Sequence, residues 1–234
     1  MTPVGILGGM GPEATILLMQ KVLQAVPARD DADHIPLIVH QNPQVPSRIA
    51  ALIEGRGDDP APVLCRMARN LWAAGAGALA MPCNTAHHYA ADIAAATPLP
   101  FLDMVELTAA ALAGRGSRRV GLLASPAVRL AGVFDAPFAA HGLEPVFPPE
   151  DAAVLEIIRG VKSGRICATD PAAQAALAAE ARALVAAGCD HVLIACTELS
   201  LLATGLPADI AWTDSLDCLV AQIVRVARQG APAA

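Results

Sequence analysis

The sequence predicts an α/β fold of two similar halves, each a parallel sheet covered by helices, related by a pseudo-two-fold axis. Three observations support this prediction. Short apolar segments alternate with helix-like segments along all 234 residues, as in parallel α/β proteins. Hydrophobic residues make up 55% of the chain and aromatic residues only 3%, so Ala, Val, Leu and Ile must fill the core. The chain also contains an internal repeat.

Six short apolar runs are predicted as strands. In chain order they cover residues 3–7, 35–40, 77–81, 119–124, 144–147 and 190–195. The predicted helices cover residues 12–26, 60–74, 85–95, 104–113, 128–141, 150–160, 171–187 and 215–228. The helix at 171–187 has the clearest signals, with Pro171 at its first position, Ala and Leu throughout and Gly188 directly after it.

The repeat divides the chain. The segment 3-PVGILGGMGPEAT-15 resembles 119-RVGLLASPAVRLA-131, and the MPCNT and ACTEL segments follow them at nearly equal distances. We therefore assign residues 1–98 to the first half and 99–211 to the second, with the join near 97-TPLP-100. The segment 212–234 carries the last helix and is expected to pack back on the first half. A cleft between two such halves is a common place for a ligand site.

Composition argues against several classes of partner. No apolar run reaches the roughly 18 residues that a membrane-spanning helix needs, and the N-terminal MTPVGILGGMGPEAT lacks the basic start of a signal peptide. We therefore expect a cytoplasmic protein that binds no membrane. The formal net charge is −6, and the nearest cationic cluster, 115-RGSRR-119, lies at a predicted turn. Nucleic acid is not expected as a partner, because phosphate binding needs clustered cations.

A glycine-rich loop lies between the first strand and the first helix. It contains Gly9-x-Gly11-x-x-Ala14, which satisfies the short form of the dinucleotide fingerprint. However, Pro12 lies inside the fingerprint, and the second strand ends in 40-HQN-42 where the fingerprint has an acidic residue. An NAD-dependent enzyme therefore stays an alternative. The loop can also place the free N–H groups of a helix N-terminus beside an anion.

Two of the six cysteines follow predicted strands at equivalent places in the two halves. Cys83 lies in 81-MPCNTAH-87, and Cys196 lies in 195-ACTELS-200. The carboxyl ends of parallel strands line the ligand crevice, so the two thiols are expected to face each other across it. Both precede predicted helix starts, and a helix N-terminus favours the thiolate form of a nearby cysteine. No CxxC pair occurs, and all six cysteines are expected to be reduced.

A symmetric pair of thiols limits the kinds of reaction that the site can catalyse. A zinc site would need more ligands, because no second pair completes the one-turn spacing of Cys83 and His87. A cysteine hydrolase needs only one thiol beside a histidine, and no resolving pair for redox chemistry lies nearby in the sequence. Two acid/base groups on opposite faces of a carbon fit racemisation or epimerisation, with one thiolate as the base and the other thiol as the acid.

The sequence also favours chemistry without a cofactor. A pyridoxal-phosphate enzyme needs a Schiff-base lysine and a phosphate cradle. Lys21 and Lys162 are the only lysines; Lys21 is predicted to be solvated, and no cradle accompanies Lys162 in 159-RGVKSGR-165. The site itself must then make the α-proton acidic, by neutralising the substrate carboxylate with N–H groups and cations.

Four motifs in order, GILGGMGPEAT, NPQVPSR, MPCNTAH and ACTEL, resemble the cofactor-independent aspartate/glutamate racemase superfamily, and most closely its aspartate racemase branch. The resemblance covers nearly the whole chain. It implies two similar α/β domains, a cleft site, an amino-acid substrate, two catalytic cysteines and, often, a homodimer. Cys83 and Cys196 take the catalytic positions.

The same resemblance implies roles for further residues. Asn84, Thr85 and Thr197 match positions that hold the substrate's α-carboxylate and amino group. Arg48 matches an arginine that meets the side-chain carboxylate, and Lys162 resembles a lysine near the same end. The remaining candidates are Met10 and Gln44, which match pocket-lining positions; Ser125, which stands for a family threonine; and Glu198, which orients the second helix or contacts the amino group.

One departure from the family pattern affects the substrate. The family has Gly/Ala-Thr-x-x-Thr after the first strand of the second half, whereas this chain reads 124-ASPAVRLAG-132. Val128 removes a hydroxyl, which leaves the side-chain preference open. Aspartate racemisation is the leading interpretation. The alternatives are racemisation of glutamate or of a broader set of amino acids, maleate isomerisation with one thiol as nucleophile, and an amino-acid-binding protein without activity.

Overall fold

Two parallel four-stranded sheets organise the structure, a computed structural model that describes residues 1–52 and 54–229. The first sheet contains β1 (Val4–Gly8), β2 (Leu37–Gln41), β3 (Ala78–Ala80) and β4 (Phe101–Leu102). The second contains β5 (Arg119–Ala124), β6 (Glu144–Val146), β7 (His191–Ala195) and β8 (Trp212–Asp214). The strand orders, β2-β1-β3-β4 and β6-β5-β7-β8, are equivalent. The predicted α/β fold of two similar parallel halves is therefore confirmed.

Helices cover both faces of each sheet. The first five are α1 (Pro12–Gln24), α2 (Arg48–Leu52), α3 (Ala61–Ala73), α4 (Ala90–Ala95) and α5 (Met104–Gly114). The next three are α6 (Pro126–Leu130), α7 (Asp135–Ala140) and α8 (Ala152–Lys162). The last three are α9 (Pro171–Ala186), α10 (Thr197–Ser200) and α11 (Ser215–Gln229). Short 3₁₀ helices occur at Asp31–Asp33, Thr85–Tyr89 and Ala203–Gly205.

The central strands are buried on both faces, which explains their continuous apolar sequences. All five residues of β1 and of β7 are buried. Gly121 in β5 allows α9 to approach the sheet closely, because a Cβ at this position would lie 2.8 Å from Cβ of Leu184. Aliphatic and small side chains thus hold the helices on the sheets, as the composition predicts.

The C-terminal helix α11 belongs to the apolar core around the first sheet. Its side chains Leu216, Leu219 and Ile223 are buried in one cluster with Val4 and Leu18. Part of the predicted segment 212–234 therefore contacts the first sheet, although residues 212–214 form β8 of the second sheet. Residues 230–234 of that segment lie outside the described residues. The exact bounds of the two halves stay a prediction.

The structure differs from the predicted elements at several places. The short helices α2 and α10 were not predicted, and the helix predicted at 85–95 begins as a 3₁₀ helix. The single helix predicted at 128–141 is two helices, α6 and α7, and between them Gly132 has a φ of 60°, which ends α6. The edge strands β4 and β8 were not predicted, because two or three residues give no period that a sequence can reveal. Strand β4 follows 97-TPLP-100 yet pairs with β3, so the first sheet extends past the predicted join.

No helix within residues 1–52 and 54–229 is long and apolar enough to cross a membrane.

Candidate active site

A cavity of about 320 Å³ lies at the carboxyl ends of strands from both sheets. Its wall contains ten of the eleven site residues predicted from the sequence: Met10, Arg48, Cys83, Asn84, Thr85, Ser125, Lys162, Cys196, Thr197 and Glu198. The glycine loop contributes Gly9 and Gly11, and the start of α1 contributes Pro12 and Glu13. Residues from the two halves therefore share one cavity, at the edge where parallel sheets bind ligands.

Close packing of two loops shapes one end of this cavity. Gly9 follows β1 with a φ of 96°, and a Cβ on it would lie 2.4 Å from the backbone carbonyl carbon of Asn42. Only glycine fits at this approach, which brings the loop after β2 beside the loop after β1. The glycine-rich motif thus has a packing role that needs no dinucleotide.

Cys83 is buried three residues beyond the last residue of β3, and a histidine fixes the turn that carries it. The backbone N–H of Met104 donates to Nε2 of His87 over 3.0 Å, so the proton lies on Nδ1, which donates to the carbonyl oxygen of Cys83 over 2.8 Å. Burial lowers the pKa of His87, although the Asp103 carboxylate partly offsets this effect. A neutral imidazole therefore joins the Cys83 turn to the start of α5.

Cys196 directly follows β7 and caps α10, and its thiol has a charged partner. The Sγ–H group donates to Oε2 of Glu198 over 3.0 Å, while Nζ of Lys162 forms an ion pair with Oε1 of the same carboxylate. Burial and then the Glu198 charge raise the pKa of Cys196 well above its ordinary value. The expectation that the helix N-terminus leaves a thiolate here is wrong, because the neighbouring carboxylate and the loss of solvent outweigh the helix.

Burial and mutual attraction act in opposite directions on the pKa values of Lys162 and Glu198. Burial acts to raise the pKa of Glu198, but the charge of Lys162 and hydrogen bonds from Lys162 and Cys196 lower it below its ordinary value. Burial likewise acts to lower the pKa of Lys162, and Glu198 reverses this, so the net shift is upward. The pair is therefore ionised at neutral pH, and the Cys196 thiol keeps its proton.

Asn84 and Thr197 are oriented by groups outside the cavity. Nδ2 of Asn84 donates to Oγ of Ser215 over 3.0 Å, which leaves its buried Oδ1 without a partner among the described residues. The Thr197 hydroxyl donates to the carbonyl oxygen of Pro82 over 3.2 Å, across the boundary between the halves. Thr85 begins the 3₁₀ turn beyond Asn84 and is half-buried in the wall. A free acceptor in a cavity suits a donor on a ligand.

Arg48 begins α2 and lines the cavity. Its Nη1 donates to the carbonyl oxygens of Pro46, over 3.0 Å, and Val45, over 3.4 Å, while its Nε is buried without a partner among the described residues. Ser125 follows β5 and accepts from the backbone N–H of Ala127, so it caps α6. The guanidinium keeps donors available for an anion.

Gln44 is the one predicted site residue that is absent from the cavity wall. The Asn42 side chain accepts from the backbone N–H of Gln44 over 3.1 Å, and the resulting turn leaves the Gln44 side chain exposed. Val45, the next residue, is buried and lines the cavity instead. Three further residues have no signal in the sequence. Glu13 and Ile158 line the cavity, and Ser215 accepts a hydrogen bond from Asn84.

The residues that the structure describes hold no group of three His, Cys, Asp or Glu side chains placed to bind a metal ion.

Comparisons with known proteins identify relatives that match nearly the whole chain. A family model described as Asp/Glu/Hydantoin racemase matches residues 7–223. The broad specificity amino-acid racemase RacX of Bacillus subtilis (strain 168) is 26% identical over 226 residues, which cover 94% of this chain and 96% of that protein. The aspartate racemase of Picrophilus torridus superposes with a TM-score of 0.83 at 27% identity, over 97% of this chain and 95% of the other.

A more distant structure shares the fold. Glutamate racemase from Thermus thermophilus, solved in complex with β-chloro-D-alanine, superposes with a TM-score of 0.62 at 20% identity. The match covers 97% of this chain and 80% of that one. The family model, the full-length relative and the two-sheet architecture lead to the same conclusion: the chain belongs to the Asp/Glu/Hydantoin racemase family.

Proposed function

We propose that this family member is a cofactor-independent aspartate racemase, which interconverts the L and D enantiomers by proton transfer between Cys83, Cys196 and the substrate Cα. The observation that carries the proposal is that both thiols, from equivalent strand ends of the two halves, line one cavity. Arg48 and Lys162 line the same cavity and suit a substrate with a second carboxylate. The similarity to the Picrophilus torridus aspartate racemase supports this choice of substrate.

The environment of Cys196 suggests how the two thiols divide the work. Cys196 is a thiol beside the ionised Glu198, so it is the proton donor in one direction. Cys83 then acts as a thiolate that removes the α-proton from the opposite face. The C–H bond breaks as a new bond forms between Cα and the Cys196 proton, and Cys83 ends as the thiol.

The reverse direction needs the protons in the opposite places. Cys196 must then be the base. Its proton passes to solvent by way of Glu198, which is ionised again afterwards, while Cys83 takes up one proton from solvent, so the number of protons on the site does not change. The ammonium group of Lys162, paired with Glu198, lies near the charge that develops on this sulfur. In each direction of the reaction one cysteine is therefore a thiol and the other a thiolate, and the two cysteines exchange these roles in the reverse direction.

The remaining wall residues would hold the amino acid so that Cα lies between the two sulfurs. Oδ1 of Asn84 is a buried acceptor without a partner and suits the substrate ammonium group. The backbone N–H groups that begin the turns at Thr85 and Thr197 suit the α-carboxylate, because the first N–H groups of a helical turn have no internal partner. Neutralising that carboxylate makes the α-proton more acidic.

The identity of the side chain is the finer part of the proposal. Arg48 offers donors to a second carboxylate, which favours aspartate or glutamate over neutral amino acids. Val128 is buried and does not line the cavity, and valine offers no hydroxyl to a substrate. The similarity to RacX, a broad specificity racemase, supports a wider substrate range as the second candidate. One assay distinguishes these options.

We expect the purified protein, without added cofactor, to incorporate deuterium at Cα of L- and D-aspartate in heavy water. Proton NMR of aspartate, glutamate and alanine incubated with the enzyme measures this exchange directly. The matched control is the double variant Cys83→Ala/Cys196→Ala. A protein that exchanges no amino acid above this control, or that isomerises maleate instead, would not be the proposed racemase.

We also propose that the protein is a cytoplasmic homodimer. Ile16, Met19 and Leu23 form an exposed apolar stripe on α1, with 60%, 43% and 53% of their surfaces accessible. Three aligned apolar side chains on one helix face suit a contact with a second copy. Light scattering should give twice the mass of one chain, and Met19→Lys should reduce it. A monomer at all concentrations would contradict the proposal.

A further inference from the structure

A buried carboxylate outside the cavity contacts three helices at once. Asp214 ends β8, and its Oδ1 accepts from the Ser200 hydroxyl and from the backbone N–H of Leu216, each over 2.9 Å. Nζ of Lys21 lies 3.5 Å from its Oδ2. These partners belong to α10, α11 and α1 respectively. Asp214 does not line the cavity at which Cys83 and Cys196 meet, and the proposed mechanism does not use it.

Each of the three helices contributes its N-terminal end to the active-site region. Helix α10 starts directly after Cys196 and carries Thr197 and Glu198. Helix α1 starts at Pro12 in the cavity wall. Helix α11 starts at Ser215, whose hydroxyl oxygen accepts from the Asn84 amide. One side chain therefore contacts three helices that present groups to the active-site region.

The charged neighbours of Asp214 come from several elements. Lys21 on α1 bridges Asp214 and Asp217, and Asp217 lies on the exposed side of α11. Arg115, after α5, donates to the Thr213 hydroxyl, which also contacts His191 of β7. Cys218 lines a second cavity together with Asp214 and Asp217. Lys21 is thus the cation in contact with the Asp214 carboxylate, and Asp217 is the nearby anion.

We propose that Asp214 is a positioning residue that holds α10 and α11, and through them Cys196 and Asn84, in the arrangement that racemisation requires. The proposal rests on the proposed function. Its physical basis is that a carboxylate is a stronger acceptor than a neutral group, so ionised Asp214 holds the Ser200 hydroxyl and the Leu216 N–H more firmly. Small displacements of groups that face a reacting carbon reduce the rate strongly.

Asp214 changes its protonation state at a pH at which enzyme activity can be measured. Burial raises its pKa to about 6, the Lys21 charge opposes this and Asp217 adds to it. Because the folded value exceeds the ordinary value of 3.8, the folded state binds the proton more tightly, so the contribution of Asp214 to stability falls as the pH rises from about 4 to about 6. Protonation of Asp214 below about pH 6 therefore does not destabilise the fold, but it weakens the hydrogen bonds that hold α10 and α11.

Asp214→Asn keeps the shape and the acceptor oxygen but removes the charge, so it imitates the protonated side chain. We expect kcat for both enantiomers of aspartate to fall by about tenfold at pH 8, with little change in KM. The fall in wild-type kcat near pH 6 should be absent from this variant. Ser200→Ala removes one of the three contacts, and kcat should fall by about threefold.

The matched control is Asp217→Asn, which removes a carboxylate from the same lysine. This variant should have the wild-type kcat at pH 8. Its kcat should still fall on acidification, at the same pH as in the wild type or slightly lower, because losing the Asp217 charge eases the ionisation of Asp214. Wild-type kcat retained in Asp214→Asn, a fall near pH 6 that persists in it, or an equal loss in Asp217→Asn would overturn the proposal.

Hydrogen exchange gives a readout that does not depend on activity. The backbone amides of 197–201 and of Leu216 should exchange faster in Asp214→Asn than in Asp217→Asn, because their anchor is weaker. Equal protection in the two variants would also overturn the proposal. A wild-type protein without racemase activity would refute the proposed function, whereas the exchange comparison would still decide the role of Asp214.

Discussion

Replacing either Cys83 or Cys196 by alanine is expected to abolish racemisation, with kcat reduced by about two to four powers of ten. Racemisation needs one proton-transfer group on each face of Cα, so the loss of either group blocks both directions. Polarimetry or coupled assays with each enantiomer of aspartate measure the loss. Full racemase activity in either variant would remove that cysteine from the mechanism.

The two single variants should differ in a second measurement. With one thiol left, the enzyme can remove a proton from only one face of Cα and return a deuteron from solvent to the same face. Cys83→Ala and Cys196→Ala should therefore exchange the α-proton of opposite enantiomers. Cys65→Ala and Cys167→Ala are the matched controls, because neither thiol lines the cavity, and both should behave as the wild type. Exchange of the same enantiomer in both single variants would contradict a two-face arrangement.

Replacing Arg48 by alanine is expected to reduce kcat/KM for aspartate by about one to two powers of ten. The guanidinium offers donors to a carboxylate, and losing a hydrogen bond to a charged group costs about 1.5–3 kcal/mol. Activity on alanine, which has no side-chain carboxylate, should fall far less. The measurement is kcat/KM for aspartate, glutamate and alanine in the wild type and in the variant.

Comparing the losses on the three substrates shows whether Arg48 binds the side-chain carboxylate or only stabilises its loop. Arg48 also donates to the carbonyl oxygens of Val45 and Pro46, so its removal loosens the loop that it closes. A loosened loop should reduce activity on all three substrates equally. Equal losses would therefore assign Arg48 to loop structure, and Lys162 would be the next candidate for the side-chain carboxylate. Arg48→Lys keeps the charge but not the fork of donors, and should restore only part of the aspartate activity.

Much of the fold and of the cavity wall is readable in the sequence because local signals and the repeat agree. The strands before Cys83 and Cys196 are short and apolar, and parallel sheets bring such strand ends to one edge. The strand β8 has only three residues, and so its side chain Asp214 gave no sequence signal. The contacts of Asp214 with Lys21 and Ser200 join distant parts of the chain, which only the folded structure brings together.

The protonation state of Cys196 could not be predicted from the sequence. Helix position alone favours a thiolate, whereas the folded site surrounds the sulfur with protein and turns Glu198 toward it. The other oxygen of Glu198 pairs with Lys162, which comes from α8 in a different part of the sequence. Gln44 lies outside the cavity wall for a related reason, because the turn at Asn42 leaves its side chain exposed.

The position in which solvent deuterium first appears tests the two-cysteine mechanism most directly. L-aspartate is incubated with the wild-type enzyme in heavy water, and both enantiomers are separated and analysed by mass spectrometry in the first few per cent of conversion. A two-base mechanism predicts that newly formed D-aspartate carries one deuterium at Cα, while the remaining L-aspartate still carries hydrogen. Deuterium in the remaining L-aspartate at the rate at which product forms, or hydrogen retained in the product, would show that a single group moves the proton, and would contradict the assignment of Cys83 and Cys196 to opposite faces.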